Sequence, residues 1–226
     1  MSTPADVTLR RPEPAFVRAV SRAIGQVSTL LVVGDPGYAP TGPDATVIDG
    51  PSQLDEFADD SVDAALVAFA LADWPDAGSG LAEVRRVTRG PVVVLTRDPD
   101  RIAAHWLAEY APEVAAADAA RHPAVDGQCA ALGDEVTTER LPVPYTSVAG
   151  FAEAYYGRPE RLLDAGTRAA DPAWGLVDEL TARRSVAALR SALETGAWDD
   201  RHGPLRVRPA YDGSVVLLTS RPRLEP

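Results

Sequence analysis

Residues 62–71 read Val62-Asp63-Ala64-Ala65-Leu66-Val67-Ala68-Phe69-Ala70-Leu71, apolar almost throughout. With no polar alternation, such a run reads as a long strand buried on both faces. Downstream, Leu81, Val84 and Val87 recur at helical spacing behind Ser79, which suits an N-cap. Val92 to Thr96 (VVVLT) is a second buried strand. Asp98 then caps a helix with Pro99 at its first position, and Ile102, Trp106 and Tyr110 share one of its faces. Upstream, Leu30 to Val33 is a short apolar run closed by Gly34, Thr46 to Asp49 is a weaker strand, and Phe16, Val17, Val20 and Ile24 lie on one helix face. Strands alternating with helices in short steps predict a doubly wound α/β fold with a mostly parallel sheet.

The second half has a different texture. Residues 111–182 are irregular and mostly helical by pattern, and Ser185 to Thr195 reads as a helix with Val186, Leu189 and Leu193 inward, stopped by Gly196. The runs Leu205–Val207 and Val215–Thr219 flank Asp212-Gly213, a hairpin signal. A single domain over 1–226 is expected, with its sheet ending in a C-terminal antiparallel hairpin and a mostly helical, substrate-side insertion at about 111–182.

Composition narrows the functional classes. The chain has 33 acidic and 22 basic residues and a net charge of -11, and every basic residue is arginine. An acidic surface repels phosphate backbones, so nucleic acid is not an expected partner. Without lysine there is no Schiff-base nucleophile. The single Cys129 excludes an internal disulfide and a cysteine metal cluster. No run approaches the roughly 18 apolar residues of a membrane helix, and the leading stretch has no apolar secretion signal, so the cytoplasm is expected. The three histidines stand at unrelated spacings and no P-loop or nucleophile elbow occurs, so no metal is expected.

From Val47 to Arg97 the chain resembles the type-11 branch of class I S-adenosylmethionine-dependent methyltransferases. Phe57-Ala58-Asp59-Asp60-Ser61-Val62-Asp63-Ala64 is similar to that family's "FPDGSFDA", Asp73-Trp74-Pro75-Asp76 to "HHWPD", and Leu81-Ala82-Glu83-Val84-Arg85-Arg86-Val87 to "LAEMRRV". The likeness continues through Leu141-Pro142-Val143-Pro144, Gly150-Phe151, Arg158-Pro159-Glu160, Gly196-Ala197-Trp198 and Arg201-His202-Gly203. It implies the methyltransferase-type doubly wound sheet, with a site at the C-terminal ends of the strands.

The departures fall on the cofactor side first, and on the substrate side as well. The family's glycine turn after the first strand, where backbone amides approach the methionine part of the cofactor, corresponds to Val33-Gly34-Asp35-Pro36-Gly37-Tyr38-Ala39-Pro40. Gly34 and Gly37 survive, but Pro36 has no backbone donor. The linker 35–45 carries Pro36, Pro40 and Pro43, and a parallel crossover with a helix needs roughly a dozen residues or more. One β-α unit is therefore expected to be missing, and with it the carboxylate that grips the ribose; Asp44 or Asp49 could substitute or be loop acids. At the adenine end stand Pro51, Ser52 and Gln53 in place of an acid. On the substrate side the family's paired histidines correspond to Ala72 and Asp73, and its "HDC" to Tyr145, Thr146 and Ser147.

The expected site is thus Asp73 and Tyr145 for polar chemistry, Gly34, Asp35, Gly37 and Gln53 toward a cofactor, and Tyr38, Trp74 and Thr146 toward a substrate. Asp73 could serve as a base if burial raised its pKa, or it could cap a turn before Pro75. Three readings follow. The first is a methyltransferase fold with a degraded cofactor site that acts on or binds a small molecule without S-adenosylmethionine, for example in a cyclisation or isomerisation of specialised metabolism. The second is a working small-molecule methyltransferase with an atypical cofactor loop, and the third a non-catalytic binding or partner protein. The partner is a small-molecule ligand, with no membrane, and a homodimer is left open.

Overall fold

The computed structural model describes residues 11–133 and 135–222. Residues 1–10, read above for their lack of an apolar signal, lie outside the described residues. The strands are β1 (Thr29–Gly34), β2 (Asp44–Ile48), β3 (Ala64–Ala68), β4 (Val92–Arg97), β5 (Glu135–Arg140), β6 (Val143–Pro144), β7 (Ala210–Tyr211) and β8 (Val215–Arg221). The α-helices are α1 (Pro14–Ile24), α2 (Ala77–Val87), α3 (Pro99–Ala104), α4 (Pro112–Arg121), α5 (Val125–Leu132), α6 (Ala165–Ala169), α7 (Glu179–Glu194) and α8 (Ala197–His202). Contacts gather the chain into two compact units. Among the described residues, one holds 14–98, 121–133, 135–141 and 215–222; the other holds 11–13, 99–120 and 142–214.

The first unit is a six-stranded sheet in the order β2-β1-β3-β4-β8-β5. The β2-β1, β1-β3 and β3-β4 pairs are parallel, while β4-β8 and β5-β8 are antiparallel. The apolar runs of β1, β3 and β4 are buried on both faces, as central parallel strands require. On one face Leu31, Val33, Ala65, Val67, Val92 and Val94 pack with Leu81, Val84 and Val87 of α2. Alternate residues point the other way, and α1 lies against β3, β4 and β8 with Phe16, Ala19, Val20 and Ile24 buried.

No α-helix lies between Asp35 and Ala45; a short 3-10 turn, Pro36–Tyr38, is all that separates β1 from β2. The strand β2 pairs directly with β1 and is exposed along most of its length, with Val47 half in solvent. The expected long strand 62–71 is shorter, because Val62 makes only an isolated bridge to Thr88 and Leu71–Asp73 turn into a 3-10 helix. The cap of α2 is Asp76 rather than Ser79: its carboxylate accepts the Ser79 amide at 3.1 Å and the Ser79 hydroxyl at 2.6 Å.

The antiparallel end of the sheet is present, but not as the hairpin expected at 205–219. Leu205–Val207 belong to the 3-10 turn Gly203–Val207, and β8 pairs instead with β4 and β5. The strand β5 was hidden within the stretch read as helical, because Glu135-Val136-Thr137-Thr138-Glu139-Arg140 is nearly all exposed and has no apolar alternation.

In the second unit, β6 and β7 form a small antiparallel pair. The helix expected through Tyr110 breaks after Ala104, where His105 Nδ1 accepts the Leu107 amide at 3.2 Å. Helix α7 begins earlier than expected, capped by Asp178, and buries Thr181, Ser185 and Leu189 at i, i+4, i+8. Val186 and Leu193 are only partly buried. Trp106 and Trp198 meet edge to face at 5.8 Å in this core.

Two stability outcomes follow. Gly34 has φ +95°, and a Cβ there would sit 2.5 Å from the Ala68 carbonyl oxygen. Gly34→Ala is expected to destabilise the fold by about 1–3 kcal/mol or more in urea unfolding. Asp63 accepts the Thr29 amide at 2.8 Å, pairs with Arg89 and accepts the Ser28 amide, which holds its pKa down to about 2. A depressed carboxylate stabilises above its unfolded value of 3.8 and loses that contribution as pH falls toward 2. Asp63→Asn should flatten the stability profile across that window.

Candidate functional site

In the sheet unit, the candidate residues gather at the C-terminal ends of β1 and β3, where open α/β sheets place ligands. Asp35 follows Gly34 and donates its amide to the Ala68 oxygen at 3.2 Å, while its carboxylate accepts the Gly37 amide at 2.9 Å. The Gly37 donor is therefore spent inside its own turn. Tyr38, at 3% exposure, packs edge to face on Phe69 with ring centroids 5.2 Å apart. Phe69 has φ +51°, a left-handed conformation unusual for an aromatic residue. Its amide donates to Leu95 at 2.8 Å. Nothing in the apolar run 64–71 marked Phe69 out, since the signal is backbone conformation.

The second strand contributes little. Asp44 starts β2, at the end opposite the crevice, so of the two acids only Asp49 follows its C-terminal end. The exposed Gln53 accepts the Asp49 amide on Oε1 at 2.9 Å and so closes a turn.

Asp73 ends the 3-10 turn after β3. Its side chain is 73% exposed and forms an ion pair with Arg121. The burial that a base role requires is not provided by these neighbours. Trp74 is buried, lies against Gly80 so closely that a Cβ there would meet its ring at 2.5 Å, and keeps an indole N–H without a partner.

Tyr145 belongs to the other unit, in the turn after β6, and its amide donates to the Pro209 oxygen at 2.9 Å. The Arg158 guanidinium stands over its ring at 5.1 Å from the centroid. The Tyr156 ring meets it edge to face at 6.1 Å and is itself stacked on Tyr211 at 5.2 Å. Burial, with the Glu153 charge second, pushes the Tyr211 phenol up to about 12. Glu153 is fully buried and accepts the Ser214 hydroxyl at 2.7 Å and the Ser214 amide at 3.1 Å. Thr146 is exposed and adjoins Tyr145. Sequence reading had found Arg158 only as part of a motif and gave no hint of its tyrosine neighbours.

His202 Nε2 lies 3.2 Å from Glu109, which also pairs with Arg201. Among the described residues, no group of three or more His, Cys, Asp or Glu is arranged to hold a metal ion, and no helix is long and apolar enough to cross a membrane.

No protein-family model matches the chain, and no curated protein sequence matches it. Solved structures do. A protein described as a methyltransferase from an antibiotic biosynthesis pathway of Anabaena variabilis superposes with a TM-score of 0.81 at 22% identity, over 94% of this chain and 98% of that one. The YcgJ protein of Bacillus subtilis follows with a TM-score of 0.51 at 13% identity, over 93% of this chain and 99% of that one. The order and direction of the strands and these likenesses give one conclusion: the chain has the fold of the class I S-adenosylmethionine-dependent methyltransferases.

Proposed function

We propose that this protein is a methyltransferase-fold protein that acts on or binds a small molecule without S-adenosylmethionine, for example in a cyclisation or isomerisation of specialised metabolism. The observation that carries this reading is the hold of Asp35 on the Gly37 amide. In the resembling family the corresponding turn offers its amides to the cofactor. Here one amide is taken by a neighbouring carboxylate, Pro36 has none, and Tyr38 is folded into the protein against Phe69. The position that could contact adenine, Gln53, is engaged by the Asp49 backbone. Gly34 itself is explained by the close approach of the Ala68 carbonyl. These residues argue against the cofactor's fit.

In this reading the fold supplies a shaped crevice and a few fixed hydrogen-bonding groups, enough to hold a reactive conformer of a small substrate. Asp73 in the sheet unit and Tyr145 in the other unit are each proposed as a group for polar chemistry. Gly34, Asp35, Gly37 and Gln53 become scaffold; Tyr38 and Trp74 in the sheet unit, and Thr146 beside Tyr145 in the other, are proposed as ligand neighbours. The proposed setting is the cytoplasm, with neither nucleic acid nor membrane as partner.

Calorimetric titration with S-adenosylmethionine and S-adenosylhomocysteine tests the reading. A hydrogen bond to a charged group is worth about 1.5–3 kcal/mol, and about 1.4 kcal/mol is tenfold in affinity, so several lost contacts remove micromolar binding. Micromolar binding, or cofactor carried through purification, would overturn the reading in favour of a methyltransferase. For the two polar groups, Asp73→Asn and Tyr145→Phe are expected to leave the urea midpoint nearly unchanged while abolishing substrate turnover. A chain that fails to fold after either change would assign that residue a structural role instead.

A further inference from the structure

Arg158 carries a charge that its surroundings only partly answer. One terminal nitrogen donates to the Ser147 oxygen at 2.9 Å and to the Ala154 oxygen at 3.0 Å. Its guanidinium lies over the rings of Tyr145 and Tyr155, at 5.1 and 5.6 Å from the centroids. No carboxylate among the described residues pairs with it, whereas in the same unit Arg206 is held by Asp199 and Glu160, and Arg201 by Glu109. The Arg158 Nε–H is buried and has no acceptor.

Two further donors in its immediate surroundings are also unanswered. The Ser147 hydroxyl belongs to the residue whose carbonyl Arg158 already grips, and Ser147 is 1% exposed. The Tyr155 hydroxyl belongs to a ring in contact with the guanidinium, and Tyr155 is likewise 1% exposed. Both hydroxyl oxygens are buried without a partner. Buried polar groups are nearly always hydrogen-bonded, and a buried charge is normally paired. A cation and two hydroxyls left together without an acceptor share one complement, an oxyanion.

We propose that Arg158, Ser147 and Tyr155 form a binding site for a small carboxylate. The Nε–H and the two hydroxyls donate, the two terminal-nitrogen bonds hold the guanidinium in place, and the rings of Tyr145 and Tyr156 give the organic part of the ligand an apolar neighbour. The charges of Arg158 and Arg161 act on Tyr155 together with those of Asp171 and Asp164, and in a protein of net charge -11 this balance suits a monoanion better than a phosphate dianion. Burial raises the Tyr155 phenol above its ordinary value. That the carboxylate belongs to the substrate rests on the small-molecule reading above; the site itself does not.

The test is thermal and calorimetric titration of the whole chain with sodium benzoate and with inorganic phosphate, each against sodium chloride at matched ionic strength. Benzoate is expected to stabilise the fold saturably. Ser147→Ala and Tyr155→Phe should each weaken it about tenfold, and Arg158→Gln should remove the response. The two hydroxyl variants decide the matter should Arg158→Gln fail to fold. No saturable response to benzoate, or one unchanged in the variants, overturns the site, and phosphate binding tighter than benzoate overturns the carboxylate assignment. Benzoate binding through Arg158 together with micromolar S-adenosylmethionine binding would keep this site and sink the cofactor-free reading. Binding of neither would do the reverse.

Discussion

The short connection between Gly34 and Asp44 constrains the sheet more than any other feature. A helix cannot be wound in so few residues that include three prolines, so the chain turns once through Pro36–Tyr38 and β2 pairs directly with β1. The consequences are local and chemical. Without a helix on this crossover, β2 is largely exposed. The turn must also satisfy its own backbone, and it does so with the Asp35 carboxylate on the Gly37 amide. Tyr38 then packs on Phe69, whose left-handed backbone ends the adjacent strand.

Elsewhere the sheet is conventional because its centre is dry. Three strands of Val, Leu and Ala leave no polar side chain to satisfy inside β1 or β3, and the polar pins lie at their margins. Asp63 ties the start of β3 to the start of β1 through the Thr29 amide, and Arg89 completes that anchor. Arg86 plays the same part farther along, holding Asp59, Glu83 and the carbonyls of Leu54 and Phe57.

The helical unit is built on a different principle. Its core is rich in aromatic side chains, with Trp106, Trp198, Tyr155 and Tyr156 buried, and polar groups are buried among them. Some are answered within the chain, as Glu153 is by Ser214. The donors around Arg158 are not, which makes that cluster chemically distinct from the pinned acids and arginines around it.

What the sequence determined by itself was whatever burial writes into local composition. The apolar runs at Leu30–Val33, Ala64–Ala68 and Val92–Thr96 and the helical period of Leu81, Val84 and Val87 named the α/β fold and its parallel centre, and proline count with linker length ruled out the helix after Gly34. Strand β5 was invisible because an exposed antiparallel edge needs no apolar alternation; its identity comes from the hydrogen bonds β8 offers. The Asp212-Gly213 signal misled for a related reason: the segments it joins find better partners elsewhere, β7 on β6 and β8 between β4 and β5. Candidate positions such as Asp73, Tyr145 and Gly37 could be named from motif order, but not their partners. That Arg121 pairs with Asp73, that Asp35 occupies Gly37, and that Arg158 stands over Tyr145 with no carboxylate partner among the described residues are facts of packing. A side chain's chemistry depends on what the fold brings within a few ångströms of it, and only the tertiary structure decided that.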